Sequence, residues 1–157
     1  MIDFEIIYKT YWQKVYRLCM GFLNDHEWAK DVCQDVFIII YNELPKFRND
    51  ASIGTWIFRI ATNKCLRQIE NSKKMQKTEL NIEFEDVIQP NKDKKTDYLY
   101  QCISELQEIE RIIISLELEN VKQSEIAIIV GISEVNVRVK IHRIKEKIAL
   151  KFEHYEE

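Results

Sequence analysis

Turn-forming residues are unusually scarce in this sequence, and their scarcity limits the folds that it can adopt. The 157 residues include only three glycines and two prolines. A sheet protein needs turn residues at short, regular intervals, because each strand ends in a turn. Apolar residues instead recur every three or four positions along most of the chain, which is the spacing of an amphipathic helix. We therefore predict an all-α protein.

Three helices are predicted in the first half of the chain. The first spans about residues 3–23, and the second spans about residues 26–43, where apolar residues cover much of the helix circumference. Pro45 interrupts the pattern, because proline cannot donate a helical hydrogen bond. The third helix starts near Ser52, whose hydroxyl suits the N-cap position.

A polar segment at residues 78–97 separates these helices from a second group. It contains Pro90 and lacks sustained apolar periodicity, so we predict a flexible linker. The sequence therefore predicts two small helical domains, at residues 1–77 and 98–157. Units of about 70 residues lie near the lower limit for a self-sufficient core, so each should be marginally stable alone.

The second domain is predicted to end in a helix-turn-helix. One helix carries the apolar residues from Leu99 to Ile113, and a shorter helix spans about residues 123–130. Gly131 suits the positive φ of a tight turn, and Ser133 is placed to cap the last helix. Branched apolar residues early in that helix would lock the crossing of the two helices.

Positive charge is concentrated in two zones of a chain whose net charge is −3. Residues 43–77 carry eight basic and three acidic side chains, and residues 133–157 carry six basic and five acidic ones. A basic run on a helix is usually a solvated face, so charge alone does not establish a function. The distribution of side chains around the last helix is more informative.

The last helix has two distinct faces on a helical wheel. One face is apolar and consists of Val137, Ile141, Ile144 and Ile148. The other face carries Val135, Val139 and His142, flanked by Arg138 and Arg143. Arginine suits the edge of guanine and an exposed valine suits the methyl group of thymine, so this face is predicted to read duplex DNA. Lys140 and Lys147 lie at the margins, where their ammonium groups would reach phosphates.

Composition argues against several other classes of protein. The four cysteines are scattered without a C-x-x-C pair, so we predict buried free thiols in a reducing compartment. No apolar run approaches the roughly 20 residues of a membrane helix. The three histidines are dispersed, and no nucleophile–base or phosphate-binding pattern is present. We expect a cytoplasmic protein that is not an enzyme, with no metal, cofactor, membrane insertion or small-molecule substrate.

Two long stretches of the chain resemble bacterial RNA polymerase sigma factors. "DVCQDVFIIIYNELPKFRNDASIGTWIFRIATNKCLRQIENSKK" resembles the second conserved region of that family, and "LQEIERIIISLELENVKQSEIAIIVGISEVNVRVKIHRIKEKI" resembles the fourth. The closest likeness is to the compact extracytoplasmic-function (ECF) group. The resemblance implies a promoter-specificity subunit that binds core RNA polymerase and recognises the −10 and −35 promoter elements. An inhibitory anti-sigma protein is a further partner that it implies.

The resemblance also assigns roles to individual positions. On the second helix, the residues that would dock the clamp helices of the largest polymerase subunit are Asp31, Gln34, Asp35 and Asn42. The loop and helix that would hold an extruded base and the melted −10 strand contribute Lys46, Arg48, Asn49, Asp50, Ser52, Arg59, Asn63, Lys64 and Arg67. The residues that would contact the −35 element are Ser133, Asn136, Arg138, Val139, Lys140, His142 and Arg143. Trp56 lies on an apolar stripe, so we expect it in the core rather than stacked on a base.

Two other interpretations remain open at this point. A stand-alone helix-turn-helix regulator would bind duplex DNA without polymerase, but it leaves the stretch "FRNDASIGTW" unexplained. A helical adaptor that binds only protein would keep its function after replacement of Arg138 and Arg143 by alanine.

Overall fold

The computed structural model describes residues 2–75 and 93–155, and every regular element in that part of the chain is a helix. The prediction of an all-α protein with two helical domains is confirmed. The α-helices are α1 (Phe4–Leu23), α2 (His26–Glu43), α3 (Ile53–Met75), α4 (Lys94–Ser104), α5 (Glu108–Leu118), α6 (Gln123–Val130) and α7 (Glu134–Tyr155), and a 3₁₀ turn covers Leu44–Lys46.

Local sequence determines where the helices of the first domain begin and end. The backbone N–H of Trp28 donates to the Asp25 carboxylate at 2.9 Å, which caps α2. Pro45 lies in the first turn of the 3₁₀ element that follows α2, where its missing N–H costs nothing. The hydroxyl of Ser52 accepts the N–H of Thr55 at 3.1 Å, so Ser52 caps α3 as the sequence predicted.

The single helix predicted from Leu99 to Ile113 is wrong, because two helices occupy that stretch. The chain leaves the helical conformation at Gln107, where φ is −64° and ψ is 155°. Apolar spacing does not reveal this break, since Leu106 before it and Ile109 after it both pack against the core. The periodicity therefore continues across a change in helix direction.

The predicted linker at residues 78–97 lies mostly outside the described residues. At its end, the Asp93 carboxylate accepts the N–H of Lys95 at 3.0 Å and caps α4, which begins at Lys94. The first helix of the second domain therefore starts four residues before the boundary at 98 that the sequence suggested.

The helix-turn-helix is formed by α6 and α7. Gly131 ends α6 with a φ of 81°, and its N–H donates to the Ala127 carbonyl at 2.8 Å. A residue with a side chain would be strained at that positive φ. Ser133 then caps α7 by accepting the N–H of Asn136 at 3.2 Å. Both predictions about this turn are confirmed.

The two domains pack against each other in this structure. Helix α1 contacts α4 and α5 of the second domain as well as α2 and α3 of its own. Helix α1 approaches α5 closely at Gly21, where an added Cβ would lie 2.2 Å from the Ser115 hydroxyl oxygen. Buried apolar residues from both domains consequently form one continuous cluster.

All four cysteines are free and buried, as the sequence predicted. Three of them meet in the core of the first domain, where the Cys19 and Cys65 sulfurs lie 3.8 Å apart. Burial, followed by the nearby Cys65, raises the pKa of the Cys33 thiol to about 12. Among the described residues no helix is long and apolar enough to cross a membrane, and no cluster of ligating side chains is suited to hold a metal ion.

Candidate nucleic-acid interface

Helix α7 presents one buried face and one exposed face, as the helical wheel predicted. Val137, Ile141 and Ile144 are buried, and α7 packs on α5 and α6. Of the predicted −35 residues, the structure leaves all but one exposed: Ser133, Asn136, Arg138, Val139, His142 and Arg143, with Lys140 half-buried. The predicted reading face is therefore accessible to a partner.

Two valines lie on this exposed face of α7. The residue Val135 is 62% exposed and Val139 is 41% exposed, although both are apolar. Single apolar residues are common on protein surfaces, so exposure alone proves nothing. Their position between basic side chains, at the start of a recognition helix, is what suits contact with a thymine methyl group.

The basic residues of α7 fall into two groups according to their ion pairs. Lys145 pairs with Glu117 at 3.3 Å and Lys147 pairs with Glu110 at 3.4 Å, so both tie α7 to α5. The expectation that Lys147 reaches phosphate is therefore not supported, because its ammonium group already has an acidic partner. Lys145 and Lys147, the second half of the basic run on α7, therefore form ion pairs within the second domain.

The first half of the basic run, from Arg138 to Arg143, forms no ion pair with another helix among the described residues. Arg138 lies 3.9 Å from Glu134, and the His142 Nε2 lies 3.1 Å from the Glu146 carboxylate; both contacts are within α7 and exposed. Within the described ranges, Arg143 takes part in no ion pair. Its guanidinium donors are thus available to an acceptor outside the protein.

A second polar surface is formed by the loop before α3 and by one edge of α3. The loop residues predicted to hold an extruded base are all exposed: Lys46, Arg48, Asn49, Asp50 and Ser52. Asn49 adopts a φ of 59°, which turns the loop sharply. The Ser52 hydroxyl is already bonded to Thr55 within the α3 cap, so Asn49 and Asp50 carry the freer polar groups.

The edge of α3 continues this surface. Arg59, Asn63 and Arg67 are exposed, one helical turn apart. Lys64 is more buried than these three, and its ammonium group lies 3.9 Å from the Asp35 carboxylate of α2. The structure therefore brings the predicted −10 edge next to the predicted polymerase edge.

Trp56 packs against the core and is half-buried, as expected from its place on the apolar stripe. Its ring lies against Phe47, with centroids 4.9 Å apart. This contact supports the base of the loop. An adjoining cavity of about 880 Å³ is lined by residues of two stretches of the chain, 2–4 and 41–49, among them Phe4, Tyr41, Asn42, Phe47 and Asn49.

The outer edge of α2 carries the residues predicted to dock polymerase. Asp31, Gln34 and Asn42 are exposed, and Asp35 is half-exposed. Beside them lies an apolar groove of about 410 Å³, lined by Phe4, Tyr8, Gln34, Phe37, Ile38 and Tyr41. Sequence reasoning missed this groove, although α2 is apolar around most of its circumference, which already suggested a second buried face.

Comparison with known proteins assigns the chain to a family. Residues 7–75 match the profile of sigma-70 region 2, and residues 96–148 match that of sigma-70 region 4. The RNA polymerase sigma factor YlaC of Bacillus subtilis is 28% identical over 90% of this chain and 87% of its own. The ECF RNA polymerase sigma-E factor of Escherichia coli K12 is 27% identical over 92% of this chain and 84% of its own. The chain belongs to the ECF sigma factors of RNA polymerase.

The fold of this sigma factor agrees with that assignment. It superimposes with a TM-score of 0.75 on the sigma factor RpoE from Bartonella quintana, solved with the anti-sigma factor NepR, at 16% identity over 93% of this chain and 94% of that one. CnrH, solved with the cytosolic domain of CnrY, gives a TM-score of 0.72 at 18% identity, over 96% of this chain and 88% of that one.

The family fixes the general function of this sigma factor. It is a promoter-recognition subunit that acts with core RNA polymerase, and its family consists of non-catalytic regulators. The interpretation as a sigma factor is confirmed. The individual residues assigned to polymerase, the −10 element and the −35 element stay predictions, since no comparison addresses them.

Proposed function

We propose that this sigma factor holds one promoter at two places through two separate surfaces. The exposed face of α7, centred on Arg138, Val139 and Arg143, contacts the −35 duplex. The loop at residues 46–52 and the exposed edge of α3 hold the melted −10 strand. The observation that carries this proposal is that an acidic chain exposes basic and polar side chains on these two surfaces, one in each domain.

The outer edge of α2 is the proposed polymerase contact. Acidic side chains at Asp31 and Asp35 suit a basic partner, and the neighbouring groove offers apolar surface for the centre of an interface. The aromatic rings of Tyr8 and Tyr41 are the kind of side chain that contributes most to binding. The acidic side chains would favour a basic partner, and the apolar groove would bury part of that partner's surface.

Polymerase is needed for tight promoter binding. Each DNA surface offers only a few cations, and the chain as a whole is negative, so the release of counterions from DNA contributes little affinity. Core polymerase therefore supplies orientation and most of the binding energy. This explains why a short basic surface is sufficient in an acidic protein. The protein accordingly acts in the cytoplasm, where polymerase and promoters are, and performs no catalysis of its own.

An anti-sigma protein is the proposed inhibitory partner. Two proteins of the same fold were solved with protein partners, one with the anti-sigma factor NepR and the other with the cytosolic domain of CnrY. The apolar groove on α1 and α2 is a surface that such a protein would compete for with polymerase.

Transcription in vitro tests the proposal. Purified protein and core polymerase are incubated with a library of randomised promoters, and the transcribed sequences are read. We expect two enriched elements at a fixed separation, and no transcripts when the sigma factor is omitted. Enrichment of a palindrome bound without polymerase would instead support a stand-alone regulator.

A further inference from the structure

The last helix continues beyond the part of the chain that matches sigma-70 region 4. The match ends at residue 148, whereas α7 runs to Tyr155. The apolar stripe that is buried at Ile141 and Ile144 continues through the half-buried Ile148 and Phe152, at spacings of three and four residues. The end of α7 therefore has a packing face of its own, for which the proposed DNA contacts do not account.

This face packs on the first half of α4 through three aromatic rings. Tyr98 lies edge-on to Phe152 with ring centroids 5.0 Å apart, and it stacks on Tyr155 at 4.4 Å. Its hydroxyl donates to the Lys151 carbonyl at 3.0 Å. We call Tyr98, Phe152 and Tyr155 the aromatic cluster. Aromatic pairs in such geometries attract each other beyond the gain from burial, so the cluster holds α4 against the end of α7.

An ion pair joins the same two helices at the other end of α4. The Lys151 ammonium group pairs with the carboxylate of Glu105, which follows the last residue of α4. The hydrogen bond to Glu105 raises the pKa of Lys151. The end of α7 thus contacts α4 in its first half and at its end.

The start of α4 depends on the aromatic cluster. The second half of α4 is held independently of it, because Cys102 and Ile103 are buried. Residues 93–97 are exposed, and Tyr98 is the first half-buried side chain of the helix. Exposed helix ends with few tertiary contacts open readily. We therefore expect residues 94–98 to lose their helical structure when the cluster is removed.

The start of α4 is also the point at which the preceding chain enters the second domain. The Asp93 carboxylate caps α4, and residues 76–92 before it join α4 to the first domain. Loss of the helix at residues 94–98 would lengthen this connection by about 9 Å, since an extended residue spans about 3.3 Å and a helical one about 1.5 Å. That length corresponds to about 2–3 base pairs of duplex at about 3.4 Å each.

We propose that the aromatic cluster limits the separation of the −10 and −35 elements that this sigma factor accepts. It fixes the start of α4 against α7, whose exposed face contacts the −35 element, and so fixes where the connection to the first domain begins. Tyr98 and Phe152 are positioning residues that act on promoter choice through α4. The inference rests on the proposed function for the roles of the two domains.

Transcription in vitro from promoters that differ only in the length of DNA between the two elements tests the inference. Phe152→Ala and Tyr98→Ala should each extend the range of accepted lengths by about 2–3 base pairs beyond that of the natural protein. Tyr98→Ala leaves the sequence of α7 unchanged, so it tests the cluster even if Phe152→Ala disturbs that helix. Hydrogen exchange of the backbone amides of residues 97–101 should become roughly tenfold faster in both variants, with little change in residues 134–147.

Leu150→Ala is the matched control for Phe152→Ala. Leu150 lies on the same part of α7 but is 59% exposed and lies outside the aromatic cluster. This variant should keep the natural range of lengths and the natural exchange rates. Insertion of five glycine and serine residues after residue 85 is the positive control, because it lengthens the connection and leaves the cluster intact. It should extend the range as the two cluster variants do.

Two results would overturn the inference directly. One is an unchanged range of lengths in both cluster variants or in the protein with the insertion. The other is a loss of −35 base preference at every length, since the cluster would then only stabilise the second domain. If the natural protein with core polymerase starts transcription at no promoter with two elements, the proposed function fails instead. The exchange measurement would still decide whether the cluster holds the start of α4.

Discussion

Arg143 and Lys145 lie two residues apart on α7 but have different surroundings. Arg143 is exposed on the proposed reading face, whereas Lys145 pairs with Glu117 of α5. Loss of an arginine that contacts a base edge costs about 1–3 kcal/mol, which corresponds to a loss in promoter discrimination of roughly 5-fold to 150-fold. We expect Arg143→Ala to weaken transcription and relax the preferred base at one −35 position.

Lys145→Ala is the control for that measurement, since it also removes one positive charge from α7. It should change promoter preference little and reduce stability by less than about 1 kcal/mol. Equal effects of the two substitutions on the −35 preference, read from the promoter library, would count against Arg143 as a base-reading residue.

Gly21 provides a test of packing between the domains. A methyl group at this position would collide with the Ser115 hydroxyl, so Gly21→Ala should lower stability by about 1–3 kcal/mol, as overpacked cores do. Ser115→Ala alone should be neutral or slightly stabilising, because that hydroxyl has no partner. Combined with Gly21→Ala it should recover part of the loss. Thermal unfolding monitored by circular dichroism measures all three, and an unchanged melting temperature for Gly21→Ala would contradict the close contact.

The buried thiols should be chemically inert in the folded protein. Burial raises the pKa of Cys33 to about 12, so almost no thiolate forms at pH 8. We expect an alkylating reagent at pH 8 to modify none of the four cysteines quickly in the native state and all four after unfolding in urea. Mass spectrometry counts the modified residues, and rapid native labelling of Cys33 would show that the first domain opens readily.

Residue-level predictions succeeded where the determining interaction is local. Ser52, Gly131 and Ser133 were placed correctly because a cap or a tight turn depends on neighbours within four residues. The ion pair between Arg17 and Glu119 could not be predicted from the sequence, because the two residues are 102 positions apart. No periodic pattern relates two such residues before the chain is folded.

Helix α2 has two apolar faces, one that packs in the core and one that is exposed to solvent. One side fills the core of the first domain, and the other forms the apolar groove next to Asp31 and Gln34. Ile38, 59% exposed, is the groove residue best suited to a test, because its replacement should not disturb the core. We expect Ile38→Asp to weaken binding to core polymerase at least tenfold with little change in melting temperature.

Ile6→Asp is the matched control for the groove. Ile6 has a similar exposure, 63%, but does not line the groove. Fluorescence titration with core polymerase should show nearly natural affinity for this variant. If both substitutions weaken binding alike, the groove is not the site of contact.

The number and bounds of the helices could be predicted from the sequence, except where the apolar spacing continues across the end of one helix and the start of the next. The extents of α1, α2 and α6 agree with the predicted ones to within one residue. The division between α4 and α5 was missed, because the stripe of apolar residues runs unbroken through Gln107. A change of helix direction depends on tertiary contacts, which periodicity does not contain.

For the whole molecule, the arrangement of the domains could not be derived from sequence. Each domain was recognisable by its own pattern, but their packing depends on contacts of α1 with α4 and α5 and of α3 with α6. The same applies to the contact of Lys64 with Asp35, which joins two surfaces that the sequence treated as separate. A substitution at Asp35 therefore alters both surfaces, whereas Asp31 offers a cleaner test of polymerase docking.

Site-specific crosslinking in the complex with polymerase and promoter shows which promoter element each domain contacts. A photoreactive residue is placed at position 143 on α7 or at position 63 on α3, and the crosslinked bases are mapped. The probe at position 143 should label the −35 element, and the probe at position 63 should label the −10 element of the same promoter. Labelling of a single element by both probes, or of neither, would contradict it.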